Sequence, residues 1–123
     1  MEYMTLEKIE AYVHAHELGN EIWDCVNKWD KFARWSIGIQ ISKSADSMSA
    51  NIAEGFGRYY KKEKIRFYRY SSGSAWETRE WLIKAKNRKL IPDEQVDVLI
   101  SGVEELPKMI NRLILYTNQK LKY

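Results

Sequence analysis

Cysteine is almost absent from this chain. Cys25 is the only one, so no internal disulfide can form and a reducing, cytoplasmic setting is expected. Two prolines and six glycines in 123 residues leave few places to turn, which favours long helices. No apolar run reaches the ~18 residues that a membrane-spanning helix needs. The opening MEYMTLEKIE carries acidic residues where a signal peptide has an apolar stretch.

The inventory of catalytic groups is equally thin. His14 and His16 are the only histidines; two residues apart, they fall on roughly opposite faces of an intact helix and cannot share a metal. Glu10, His14, Glu17 and Glu21 do line one helical face. Di-iron bundles, however, need Glu-x-x-His on two helices, whereas Glu10 and His14 are four apart and have no second copy. Cys25 has neither a nearby histidine nor a CxxC partner and reads as a packed thiol. There is no GxxxxGK[ST] phosphate loop and no nucleophile elbow. The expectation is a protein that is not an enzyme and holds no cofactor and no metal.

What is present is ordinary in bulk. Hydrophobic residues make up 45% and charged residues 30%, globular values that exclude disorder. The length suits a single domain over residues 1–123, large enough to bury a core without a disulfide or metal staple. The aromatics are many for so small a core: five Trp, eight Tyr and three Phe.

Periodicity predicts four helices. The first opens with Thr5 as N-cap and runs to about Trp29, with Leu6, Ile9, Val13, Leu18, Ile22 and Val26 inward. Asp30 to Arg34 breaks the pattern. The second helix runs from about Trp35 to Phe56, with Ile37, Ile41, Ala45, Met48, Ile52 and Phe56 on one face. Its many serines and alanines suit a central position. Gly55 and Gly57 are expected to end it through left-handed backbone. The third spans about Lys61 to Lys89, with Phe67, Ser71, Ser74, Thr78, Trp81 and Ala85 inward and Gly73 at a close helix crossing. The fourth starts at Pro92 or Asp93 and keeps Val96, Leu99, Val103, Leu106, Ile110, Leu113 and Thr117 inward, with a kink expected between Gly102 and Pro107. No period-two strand pattern competes. Short links between four helices predict an all-α, antiparallel up-down-up-down four-helix bundle.

The formal net charge of +3 conceals a strong asymmetry. Residues 1–57 carry −4, residues 58–90 carry +8, and residues 91–123 carry −1. The basic segment opens with RYYKKEKIRFYRY at 58–70. Arg58, Lys61, Lys62, Lys64, Arg66 and Arg69 are candidates for phosphate contacts. Tyr59 and Tyr60 are candidate stacking platforms for unpaired bases. Lys62, Arg66 and Arg69 are spaced to share one face. The same residues also suit a solvated helix surface, or an electrostatic match to the acidic first helix.

Two stretches are not explained by amphipathicity: NIAEGFGR at 51–58 and GSAWE at 73–77. Asn51, Glu54 and Arg58 share a face. An Arg58–Glu54 pair, with Asn51 bonded across to the third helix, would fix the register of the helix pair. Ser74 and Glu77 would do similar work further along. A ligand or partner site is the other reading of this cluster.

With FYRYSSGSAWE at 67–77, these stretches resemble the four helix bundle protein family encoded in intervening sequences of bacterial 23S rRNA genes. The resemblance implies an all-α bundle that assembles as a ring-like homopentamer. It also implies relatives that serve as accessory proteins to reverse transcriptases, for which nucleic-acid binding is inferred. Carried over by position, the signature residues are Asn51, Glu54, Gly55, Arg58, Gly73, Ser74 and Glu77. They mark the fold and are not catalytic. Lys43, where the family pattern has arginine, and Pro107 inside the last helix are departures.

Two functions are therefore expected as alternatives. One is a homo-oligomeric helical protein that binds RNA or DNA through backbone phosphates, with no membrane partner. The other is a protein-interaction module, its excess of aromatics, including Trp23, Trp29, Trp35, Trp76 and Trp81, marking assembly surfaces. The basic segment would then meet a neighbouring subunit or a partner protein such as a reverse transcriptase.

Overall fold

The computed structural model describes residues 5–123, so the first residues of MEYMTLEKIE lie outside it. A 3-10 turn at Leu6–Lys8 leads into α1 (Glu10–Val26), followed by α2 (Lys31–Trp35), α3 (Ile37–Phe56), α4 (Lys61–Asn87) and α5 (Asp93–Lys120). The protein is all-α, and the described residues contain no strand.

The first helix starts later than its sequence predicts. Thr5 makes no side-chain cap, and Ile9, in extended backbone, separates the 3-10 turn from α1. Leu18, Ile22 and Val26 of α1 are buried as predicted, but toward its start Ala11 and Ala15 point inward while Val13 lies on the surface, and Gly19 joins the buried face. Small residues win these positions because α1 lies close to α3. A Cβ on Gly19 would stand 3.3 Å from Asp46 Oδ1.

The break at 30–34 is itself helical. Asp30 accepts the Ala33 amide at 3.0 Å and caps α2. Ser36, with φ −116° and ψ −97°, turns the chain into α3, and its hydroxyl donates to the Phe32 carbonyl at 2.6 Å. Along α3, Ile37, Ile41, Ala45, Met48 and Ile52 are buried as their spacing predicts, joined by Ser44 and Gly55.

On α4 the inward stripe is Tyr68, Ser71, Ala75, Thr78, Leu82 and Ala85. Phe67, Ser74 and Trp81, predicted inward, are only half-buried. Ser71, Thr78 and Ala85 are buried as predicted, while Tyr68, Ala75 and Leu82 take the places of Phe67, Ser74 and Trp81. Ser71 Oγ donates to the Met48 carbonyl at 2.6 Å. Thr78 Oγ1 donates to Ser44 Oγ at 2.9 Å, and Ser44 donates onward to the Ile41 carbonyl at 3.2 Å. Burial without partners would cost each hydroxyl about 1–3 kcal/mol; paired, they lock α4 on α3.

Gly57 caps the end of α3 as predicted, but without left-handed backbone. No glycine has positive φ. Gly55 lies inside α3, where a Cβ would sit 2.8 Å from the Lys64 carbonyl and 2.8 Å from Tyr68 Cε1. That is the close crossing the sequence suggested for Gly73, which instead has nothing within 4 Å. The left-handed residue is Lys89, φ 58°. Lys89 N–H donates to the Lys86 carbonyl at 3.0 Å and Leu90 N–H to the Ala85 carbonyl at 2.9 Å, so α4 ends in a Schellman turn without glycine.

Pro107 does not divide the last helix: α5 runs as one element from Asp93 to Lys120. Val103, Leu106 and Ile110 are buried around it, and packing on both sides outweighs one missing hydrogen bond. His14 Nε2, on the face it shares with Glu10, Glu17 and Glu21, lies 2.6 Å from the Gly102 carbonyl of α5. Ile114, not Leu113, completes the buried stripe.

Each long helix packs against two others: α1 on α3 and α5, and α4 on α3 and α5. No described helix is long and apolar enough to cross a membrane.

Candidate nucleic-acid interface

The α3–α4 corner holds most of the basic segment, and its cations divide into two groups. The first group is spent on the fold. Arg58 reaches back one turn to Glu54, with Nη2 at 3.0 Å and Nε at 3.1 Å from Oε2. Its guanidinium also lies 4.7 Å from the centre of the Phe67 ring. Lys64 Nζ donates to the Phe56 carbonyl at 2.7 Å and so covers the open end of α3. Burial there pushes the Lys64 ammonium below the usual lysine range. Lys61 performs the same service for α5, donating to the Leu121 carbonyl at 3.1 Å and the Asn118 carbonyl at 3.4 Å. Its backbone amide donates to the Tyr123 carbonyl at 2.6 Å.

The second group faces water. Lys62, Arg66 and Arg69 are exposed along one side of α4, and among the described residues none is within ion-pair distance of a carboxylate. At 1.5 Å per residue the stripe is about 10 Å long. Arg66 lies 5.7 Å from the Phe67 ring centre. The Tyr70 ring meets Phe67 edge-on at 5.3 Å and is 50% exposed.

Tyr59 and Tyr60 form an exposed edge-to-face pair at the corner, ring centres 4.9 Å apart. Beside them opens a cup of about 530 Å³, lined by Phe56, Arg58, Tyr59, Lys64 and the segment Lys120 to Tyr123. Lys120 and Lys122 come from the far end of the chain, and no pattern within 58–70 could have placed them there.

The proposed match between the basic segment and the acidic first helix is not what the charges do. Ion pairs from α4 to another helix go to α5: Arg79 to Glu104 at 2.7 Å and Lys86 to Asp97 at 2.7 Å. The hydrogen bond to Asp97 holds the Lys86 ammonium above its usual range. Glu10 of α1 meets Arg112 of α5 at 3.7 Å.

The signature cluster is mostly local. The Arg58–Glu54 pair forms as expected, but Asn51 Nδ2 donates to Ser47 of its own helix at 2.9 Å and does not cross to α4. The Ser74 carbonyl stands 2.7 Å from Thr78 Oγ1 and competes with Ser44 for its one proton. Glu77 accepts the Trp81 indole N–H at 3.2 Å. The bonds that cross to α3 come from Ser71 and Thr78, inward by periodicity, and from Lys64 at the corner.

A second surface gathers Trp23, Trp35 and Trp81, expected as assembly aromatics, around Phe32, which the sequence did not single out. Phe32 is 83% and Trp35 68% exposed on α2. With Ile39, Trp81 and Arg88 they line an open groove of about 690 Å³. Trp23 stands on the far side of Trp35 beside Arg34 and Lys43. Phe32 falls in the predicted break Asp30 to Arg34 and Trp35 at the predicted start of the second helix, whereas both belong to α2. Of the other tryptophans, Trp29 is buried, Trp81 half-buried and Trp76 exposed.

Similarity to known proteins agrees with this helical frame. A family model described as 23S rRNA-intervening sequence protein matches residues 7–112. The structure is similar to the crystal structure of a protein of unknown function from the S23 ribosomal protein family of Bacteroides thetaiotaomicron. The TM-score is 0.74 at 22% identity, covering 85% of this chain and 97% of that one; at this identity the likeness carries the fold alone. No curated protein matches the chain.

Proposed function

From the premise that the chain belongs to the 23S rRNA-intervening sequence protein family, we propose that it is a non-enzymatic RNA- or DNA-binding protein. It works as an antiparallel up-down-up-down four-helix bundle that assembles with copies of itself in the cytoplasm. The observation that carries the binding is the stripe of Lys62, Arg66 and Arg69, exposed and without acidic partners among the described residues. Three unneutralised cations in ~10 Å of helix match closely spaced backbone phosphates. Binding of this kind is electrostatic, weakly selective in sequence and steeply dependent on salt. Arg58, Lys61 and Lys64, tied to helix ends and to Glu54, keep their role in holding the corner that presents the stripe.

Titration of labelled 23S rRNA fragments at two salt concentrations tests the reading. Affinity should fall steeply with salt, and replacing Arg66 and Arg69 by glutamine should reduce the log–log slope by about 2. Absence of binding at low salt would overturn it.

A second reading rests on the α2 corner. Its exposed Phe32 and Trp35 are the residue types that concentrate energy in protein interfaces. They favour a self-assembly surface, a homopentamer by family resemblance, or a surface for an accessory role beside a reverse transcriptase.

A further inference from the structure

The cup at the α3–α4 corner differs from the α4 stripe in shape and in chemistry. The stripe borders a hollow of about 330 Å³ lined by residues of α4 alone, Glu63 included, whereas the cup is larger, about 530 Å³, and built from two distant parts of the chain. Among the side chains lining it, Arg58, Lys64, Lys120 and Lys122 are cationic and none is a carboxylate. Arg58 and Lys64 are already engaged, by Glu54 and by the Phe56 carbonyl. Lys120 and Lys122 have no acidic partner among the described residues. Lys122 Nζ lies 5.5 Å from the centre of the Tyr123 ring.

The walls are aromatic as well as basic. Tyr59 is 74% and Tyr123 61% exposed, and Phe56 lies in the lining between the cations. Tyr59 is backed by Tyr60 edge-to-face, and Tyr123 is tied by its carbonyl to the Lys61 amide. The Tyr59 ring and the Tyr123 backbone are thus held before anything binds, which lowers the entropic cost of using Tyr59. A pocket with a planar apolar wall and free ammonium groups at its rim suits a ligand that is itself part planar ring and part anion.

We infer that this cup takes one unstacked nucleotide of a single strand, its base against Tyr59 and its phosphate on Lys120 and Lys122. A duplex keeps its bases paired and stacked inside, so it can meet the cations but cannot present a free base face to the ring. The stripe on α4 then holds any phosphate backbone, and the cup supplies a preference for unpaired strand. This inference rests on the nucleic-acid reading proposed above.

The test compares two probes on the full chain: labelled oligouridine of about 12 nucleotides and an RNA duplex of the same length. Tyr59→Leu keeps an apolar side chain at an exposed position and removes the ring face. It should weaken oligouridine binding by about fivefold or more, the loss of one stacked base, while duplex affinity stays within about twofold. Lys122→Gln should lower the salt slope for oligouridine by about 1. Wild-type protein that binds both probes, with Tyr59→Leu and Lys122→Gln indistinguishable from it, overturns the cup and leaves the α4 stripe standing. Equal loss on both probes also overturns the cup, because stacking would not be the cause. Wild-type protein that binds neither probe at low salt overturns the underlying reading together with this one.

Discussion

Gly55 and Tyr68 are fitted to each other at the α3–α4 crossing. A methyl group at Gly55 would lie 2.8 Å from Tyr68 Cε1, 2.9 Å from Tyr68 Cδ1 and 2.8 Å from the Lys64 backbone carbonyl. Tyr68 is 2% exposed and cannot swing away into solvent. Gly55→Ala must therefore push α4 from α3, with an overpacking cost of about 1–3 kcal/mol. The urea midpoint should fall accordingly. The same shift would disturb the Lys64 contact to Phe56, so weaker nucleic-acid binding by this variant would reflect a displaced corner.

Glycine is present where the helix does not need it and absent where the backbone asks for it. Gly73 lies exposed in the interior of α4 with nothing within 4 Å of a would-be Cβ. Gly73→Ala should stabilise by about 0.5–1 kcal/mol through helix propensity and a less flexible unfolded chain. Lys89 holds φ 58° at the Schellman turn. Relief of left-handed strain there is worth about 1 kcal/mol before the entropy of the added glycine is subtracted, so Lys89→Gly should raise stability by a smaller amount. Thermal melts of the two single variants and the double check both signs. The sites are far apart in sequence and share no contact, so their effects should add.

Most of the helical frame could be read from spacing, because apolar residues at three and four apart report the inward face directly. That worked on α3 and α5, where isoleucine, leucine and valine carry the stripe. On α4 it placed Ser71, Thr78 and Ala85 but not Tyr68, Ala75 and Leu82, because small polar residues give hydrophobicity little contrast. On α1 it placed Leu18, Ile22 and Val26 but chose Val13 over the less conspicuous Ala11 and Ala15. In the candidate interface, spacing placed Lys62, Arg66 and Arg69 on one face, and they are exposed there. Sequence shows that Lys61, Lys62 and Lys64 are basic; it does not show that Lys61 and Lys64 point at helix ends while Lys62 faces water. The α2 corner was hidden for a different reason: five residues are too few to establish a period.

Tyr68 also gives the protein a pH signature. Burial pushes its phenol from the usual 10.0 up to about 12. The unfolded chain releases this proton near pH 10 and the folded chain near 12, so between those values the folded state holds more protons. Stability therefore falls as pH rises through that window, by about 2–3 kcal/mol for a shift of this size. Lys64 acts in the opposite sense: its ammonium is disfavoured in the fold, so its contribution improves as pH climbs from its lowered value toward 10.5. Tyr68→Phe isolates the first effect. The difference in unfolding free energy between wild type and this variant should be flat below pH 10 and should shift in favour of the variant between pH 10 and 12. A difference that stays flat throughout would show that the phenol ionises equally in both states.

The α2 corner predicts a separation of assembly from folding. Phe32 and Trp35 are 83% and 68% exposed, so the isolated chain gains little from them, and Phe32→Ser with Trp35→Ser should leave the melting temperature of a dissociated protein nearly unchanged. If the corner is the self-assembly surface, each truncation removes an aromatic anchor of the kind that costs about 2 kcal/mol or more at an interface, roughly thirtyfold in dissociation constant. Light-scattering mass at micromolar concentration should then drop from an oligomer to a single chain in the double variant. Arg66→Gln with Arg69→Gln should leave that mass unchanged, since those cations lie on the outer face of α4 and not on α2. A double α2 variant that keeps its wild-type mass would remove the corner from assembly and leave its groove to a different protein partner.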